Sequence, residues 1–185
     1  MTADSQPIFF LSVILGFVCW GLVARWYLLP LIAPLTFERA VTPLLLFHSF
    51  RYVGLSFLVL GVVAPELPLS FARPVGYGDL LASSLALLAL AALRFRWGFA
   101  VPAVWLFNLV GTVDLLNAFL QGRLANVNPG HLGATYFIPT FVVPALLVTH
   151  YAIFTLLLRS RPAATPTRPD AATRRDRPDR PGSAL

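Results

Sequence analysis

The sequence predicts an all-α integral membrane protein: a five-transmembrane-helix bundle with its N-terminus outside and its C-terminus cytoplasmic. Three observations predict it. Of the 185 residues, 57% are hydrophobic and 12% charged, about half the charged share of a soluble domain. The apolar residues gather in five runs, about 8–29, 43–63, 77–93, 99–120 and 138–158, each near the ~20 residues that cross hydrocarbon. The arginines are also one-sided. With a cytoplasmic C-terminus, Arg25, Arg39, Arg94, Arg96 and the seven after Leu158 share the cytoplasmic side, against Arg73 and Arg123 opposite. That is a strong positive-inside signal.

The length suits one domain, the spans of residues 1–158, followed by an Arg/Pro-rich tail at 159–185. The net charge is +6, with no lysine, and half of the fourteen arginines lie in the tail. The excess therefore belongs beside a membrane surface with anionic headgroups and does not indicate nucleic acid. The tail has no aromatic residue, five prolines and three aspartates, so it cannot bury a core and is expected to be disordered. Cys19 is the only cysteine, which excludes an internal disulfide and a cysteine metal cluster. The composition, rich in Ala, Leu, Pro and Arg, suggests a bacterial cell (inner) membrane.

The first span reads poorly as a signal peptide: Met1 to Pro7 carries Asp4 and no basic residue, and the apolar stretch is too long. Trp26 and Tyr27 beside Arg25 form an interfacial anchor, and Ser12, Gly16 and Cys19 make one small-residue face for close helix contact. The second span is expected to start at Thr42-Pro43, a hydroxyl cap followed by proline at the first helical position. In the third, Asp79 falls in the expected first turn, where a carboxylate suits the helix dipole. Arg94 to Gly98 makes a short basic turn. The fourth span carries Asn108, Asp114 and Asn117, and helical rotation puts Asp114, Asn117 and Gln121 on one stripe with Asn108 pointing away from it. Asn128-Pro129-Gly130 marks a turn. The fifth span begins at Pro139, and Pro144 is expected to kink it and to free a backbone carbonyl near Thr140.

His48 and Arg51 lie inside the second apolar run, where an arginine costs about 2.5–3.5 kcal/mol on insertion scales. With the orientation above, His150 of the fifth span falls at the same depth. An inner polar layer of His48, Arg51 and His150, with Tyr52 at helical spacing, is expected. An outer one contains Asp79, Asp114 and Asn117, with Arg51 long enough to reach Asp114.

These residues point to a multi-pass membrane protein with an intramembrane site for a small hydrophobic or amphipathic ligand. Two alternatives use the same groups. One is a proton-coupled carrier or channel component, built on Asp114, His48, His150 and Arg51. The other is a b-type haem electron-transfer protein with His48 and His150 as axial ligands. An enzyme is disfavoured: there is no Gly-x-Ser-x-Gly elbow and no His-Glu-x-x-His. A homo-oligomer is compatible with all of these. In size and span count the chain resembles the five-span tryptophan-rich sensory proteins, but without their tryptophan–proline pattern between the first two spans, so no residue is carried across.

Overall fold

The computed structural model describes residues 5–159; of the tail at 159–185, expected to be disordered, Arg159 ends the last helix and 160–185 lie outside the described residues. The described chain contains no strand. It has five helices long and apolar enough to span a membrane: Ser5–Ile32, Phe37–Leu58, Leu69–Arg94, Ala100–Leu124 and Ile138–Arg159. We label the α-helical parts α1 (Ser5–Val23), α2 (Leu29–Ile32), α3 (Phe37–Ser49), α4 (Leu69–Arg94), α5 (Ala100–Leu124) and α6 (Val143–Arg159). With an odd number of spans, Ser5 and Arg159 lie at opposite ends of the bundle, called here the N-terminal and C-terminal faces.

The outside of the bundle is apolar. Ile14, Leu15 and Val18 on α1, Leu81 and Leu87 on α4, and Leu109, Val113 and Leu116 on α5 are all exposed. So much exposed apolar surface marks a chain built for a hydrocarbon surround. Inside, α4 packs between the second and fourth spans. Ala82, Ala86, Ala89 and Ala92 are fully buried along one side of it, and their small side chains let α3 and α5 approach closely.

Two boundaries differ from expectation, each for a local reason. The second span starts at Phe37, with Thr36 at the N-cap position but no side-chain capping bond, and Pro43 lies inside the helix. Thr42 Oγ1 donates to the carbonyl of Glu38 at 2.6 Å. Pro43 withholds a donor from the Arg39 carbonyl, yet the helix continues through it. The third span starts at Leu69, with Pro74 near its beginning. Asp79 is therefore well inside the helix and does not cap it.

Proline also shapes the first and last spans. Single π-turns occupy Ala24–Leu28, just before Pro30, and Ile138–Val142, just before Pro144. Pro144 cannot donate to the Thr140 carbonyl, and Gly16 of α1 lies against that oxygen, so close that an added Cβ would overlap it. One turn away, the hydroxyls of Ser12 and Tyr136 are 3.2 Å apart. The small face of the first span thus packs on the kink of the fifth, whereas Cys19 on the same span is exposed.

Gly16→Leu should force α1 off the fifth span, an overpacking cost of about 1–3 kcal/mol. Gly21 has open space around it. Thermal melts in detergent should fall by about 2–4 °C per kcal/mol for Gly16→Leu and stay near wild type for Gly21→Leu.

Candidate functional site

Residues Phe50–Leu58 continue α3 as a 3-10 helix of three residues per turn. This winding selects which side chains face inward. Arg51, Gly54 and Phe57, spaced by three, are its buried residues. Tyr52, expected to share the face of His48 and Arg51, is half-exposed instead, because the tighter winding breaks the α-helical register just before it.

Arg51 is buried and is the hub of the site. Its Nε donates to Asp79 Oδ1 at 2.8 Å and its Nη1 to the Gly111 carbonyl at 3.1 Å. Its Nη2 lies 2.8 Å from Asp79 Oδ1 and 2.6 Å from Asp114 Oδ2. One guanidinium thereby ties the second span to α4 and α5 using all three of its nitrogens, as its fixed fork allows. The expected reach to Asp114 is present, and Asp79 shares it.

Each charged partner lies against a glycine. A Cβ on Gly54 would overlap the Asp79 carboxylate, and one on Gly78 would overlap that of Asp114. A Cβ on Gly111 would come within 2.9 Å of both Arg51 Nη1 and His150 Nε2. Without side chains at these positions, backbone and charged groups can meet in a space that any other residue would fill. Ser83 Oγ adds a 2.6 Å bond to the Ser49 carbonyl at the junction between α3 and the 3-10 segment.

The two histidines meet on the other side of Arg51. Their ring centroids are 4.1 Å apart, with Phe107 stacked on His150 and edge-on to His48. His48 Nε2 donates to Thr149 Oγ1 at 3.0 Å, since that hydroxyl is itself committed as donor to the backbone of α6. His150 Nδ1 donates to Asn108 Oδ1 at 2.7 Å, and Asn108 Nδ2 returns a bond to the His150 carbonyl at 3.3 Å. These roles assign the tautomers. They leave His48 Nδ1 and His150 Nε2 as buried nitrogens without a partner among the described residues.

The rings do not stand as a pair of axial haem ligands. Such a pair must face each other across a macrocycle, and a 4.1 Å centroid separation with a 48° tilt leaves no room for one.

Asn117 is exposed, while Asn108, Gly111 and Leu115 are buried on the inward side of α5. Asp114, next to that side, is partly buried. The predicted stripe of Asp114, Asn117 and Gln121 therefore divides, and Asn108 belongs inside because it serves His150 on a different neighbouring helix.

A cavity of about 460 Å³ opens from this cluster toward the N-terminal face. Asp79 and Asp114 line it, with Phe9, Phe57, Phe71, Phe119 and Leu132 among its walls and Gln6, Arg123 and Asn126 among its further polar residues. The Asp114 side chain keeps 17% of its surface exposed, against 8% for Asp79. Toward the C-terminal face the polar groups end on packed apolar residues, Val41, Leu44, Leu45, Val104 and Ile153.

Neither the cavity nor its glycines were legible as a site beforehand. The available signals were Gly54 one 3-10 turn from Arg51, and Gly78 beside Asp79.

The model of a family described as a domain of unknown function (DUF8737) matches residues 8–158, and the chain belongs to that family. No curated protein and no solved structure matches.

Arg51→Leu should leave two buried carboxylates without their cation and destabilise the protein by about 3–5 kcal/mol. Adding Asp79→Asn and Asp114→Asn to that variant should recover most of the loss. Melting of the purified single and triple variants in detergent checks this, and a triple variant no more stable than Arg51→Leu would exclude the ion pair as the cause.

Proposed function

We propose that this protein is a membrane-embedded binding protein that takes one small amphipathic molecule. Its apolar body lies among the phenylalanines, and its cationic or hydrogen-bond-donating head lies on Asp114. The observation that carries the reading is the cavity with apolar walls that ends on two carboxylates held by a single guanidinium. With both carboxylates ionised, the inner end of the cavity has one negative charge more than Arg51 offsets, while Arg123 lines it nearer the N-terminal face. A head of positive charge is therefore favoured at Asp114 itself, and an anionic head is disfavoured there. The volume falls within the roughly 300–1,000 Å³ of small-molecule pockets, and an apolar lining with a few convergent polar groups is their usual composition.

The arginine distribution supports an orientation with the C-terminal face toward the cytoplasm. The cavity would then be reached from the outer side or the outer leaflet. Against the proton-coupled carrier stands the apolar layer beyond His48 and His150, since passage needs polar groups or water at both ends. The histidine pair instead forms the closed base of the polar cluster. Its bonds to Thr149 and Asn108 fix the fifth span against the second and fourth.

The test compares alkyl-trimethylammonium ions with alkyl sulfates of the same chain length as additives to protein in lipid nanodiscs. The ammonium series should raise the melting temperature in proportion to occupancy, and the sulfates should not. Asp114→Asn should weaken ammonium binding at least about tenfold, the loss of one charge-assisted contact. Equal stabilisation by the two series, or unchanged binding by Asp114→Asn, would sink the reading.

A further inference from the structure

We infer a second site, for a phosphate group, at the C-terminal face between the first and fifth spans. The observation is a cavity of about 270 Å³ lined by Arg25, Leu29, Pro30, Ile32, Ala33, Tyr151, Thr155, Leu156 and Arg159. Arg25 and Arg159, far apart in the sequence, both line this one space, and no carboxylate is among the residues lining it. Among the described residues the only ion pairs are those of Arg51, so Arg25 and Arg159 have no carboxylate partner there.

Local structure explains how both arginines reach the cavity. Arg25 lies in the π-turn that precedes Pro30, and such single turns change the direction of the side chains they carry. Arg159 is in the last turn of α6, and it lines the cavity together with Pro30 of the first span. Thr155 Oγ1 donates to the Ala152 carbonyl at 2.7 Å, which leaves the Tyr151 hydroxyl and the two guanidiniums as donors. The half-apolar lining suits a group with oxygens at one end and hydrocarbon at the other.

The depth fits a headgroup. Trp26 and Tyr27 are exposed beside Arg25, and such residues mark the level where hydrocarbon gives way to headgroups. Arginine is the side chain suited to phosphate, which its planar fork can bind through two parallel bonds. The ligand is therefore a phosphate ester or phosphate ion, held by Arg25 and Arg159 at the membrane boundary. Its source is either an anionic lipid or a soluble phosphate. The site shares no residue with the acidic cavity at the other face and does not depend on the reading of that cavity.

Native mass spectrometry of the full-length chain in detergent would test this, with phosphatidylglycerol, phosphatidylcholine and inorganic phosphate as probes. One phosphatidylglycerol should bind more tightly than phosphatidylcholine. The double variant Arg25→Gln/Arg159→Gln should lose about 30-fold in that affinity, from two arginines near the surface. The tail arginines are identical in both chains, so their attraction cancels in the comparison. Arg25→Lys/Arg159→Lys keeps the charge without the fork and should fall between the two, which covers the case of a glutamine variant that fails to fold. Displacement of phosphatidylglycerol by equimolar inorganic phosphate would assign the site to soluble phosphate, and its absence to lipid. Wild-type affinity in both double variants, or equal binding of the two lipids by the wild type, would overturn the proposal.

Discussion

The bundle depends on where Arg51 finds its acceptors. A guanidinium inside an apolar helix packing is tolerable only with its donors and its charge matched. Two carboxylates and one backbone carbonyl do the matching, each from α4 or α5. This requirement fixes the second span relative to the third and fourth more tightly than apolar packing could, because hydrocarbon contacts are non-directional and hydrogen bonds are not. It also explains the glycines. The three positions at which a Cβ would strike Arg51 or its partners carry none, so helices and charged groups can share one narrow level. A leucine at position 51 with apolar neighbours would pack at lower electrostatic cost.

The two carboxylates have different environments, and the difference gives them different roles. Asp79 receives both Nε and Nη2 of Arg51, lies against Gly54, and is almost fully enclosed. Asp114 receives Nη2 alone and keeps part of its surface on the cavity. Asp79 can hold the guanidinium in place with the help of the Gly111 carbonyl. Asp114 is the member that can turn toward something else.

Much of this was readable from the chain. The five spans follow from runs of apolar residues, and the meeting of His48 with His150 follows from counting depth from the same face. Arg51 is long enough that its reach to Asp114 could be anticipated. Three features were not legible, for physical reasons. The 3-10 winding after Ser49 changes the period from 3.6 to 3, which moves Tyr52 out and Gly54 in, and local propensity gives little warning of it. Asp79 reads as a cap because Pro74 suggests that the helix begins after it, whereas the helix begins at Leu69 and runs through Pro74. The cavity is a property of how five helices splay at one end, and no single helix records it.

The two ends of the bundle carry different charged groups. At one face an apolar cavity ends on carboxylates; at the other, two arginines line a smaller cavity among interfacial aromatics. Between them the histidine pair and the apolar layer of α3, α5 and α6 separate the two. A cation arriving on Asp114 competes with Nη2 of Arg51 for the same carboxylate, while Nε and Nη1 keep their own acceptors. The bundle therefore need not open for the head of a ligand to be bound. Because Arg51 stays anchored by Asp79 and Gly111, Asp114 can be both part of the internal ion pair and the contact point for a ligand. That dual position is the reason to place the binding chemistry on Asp114 rather than on the more deeply buried Asp79 or on the histidines.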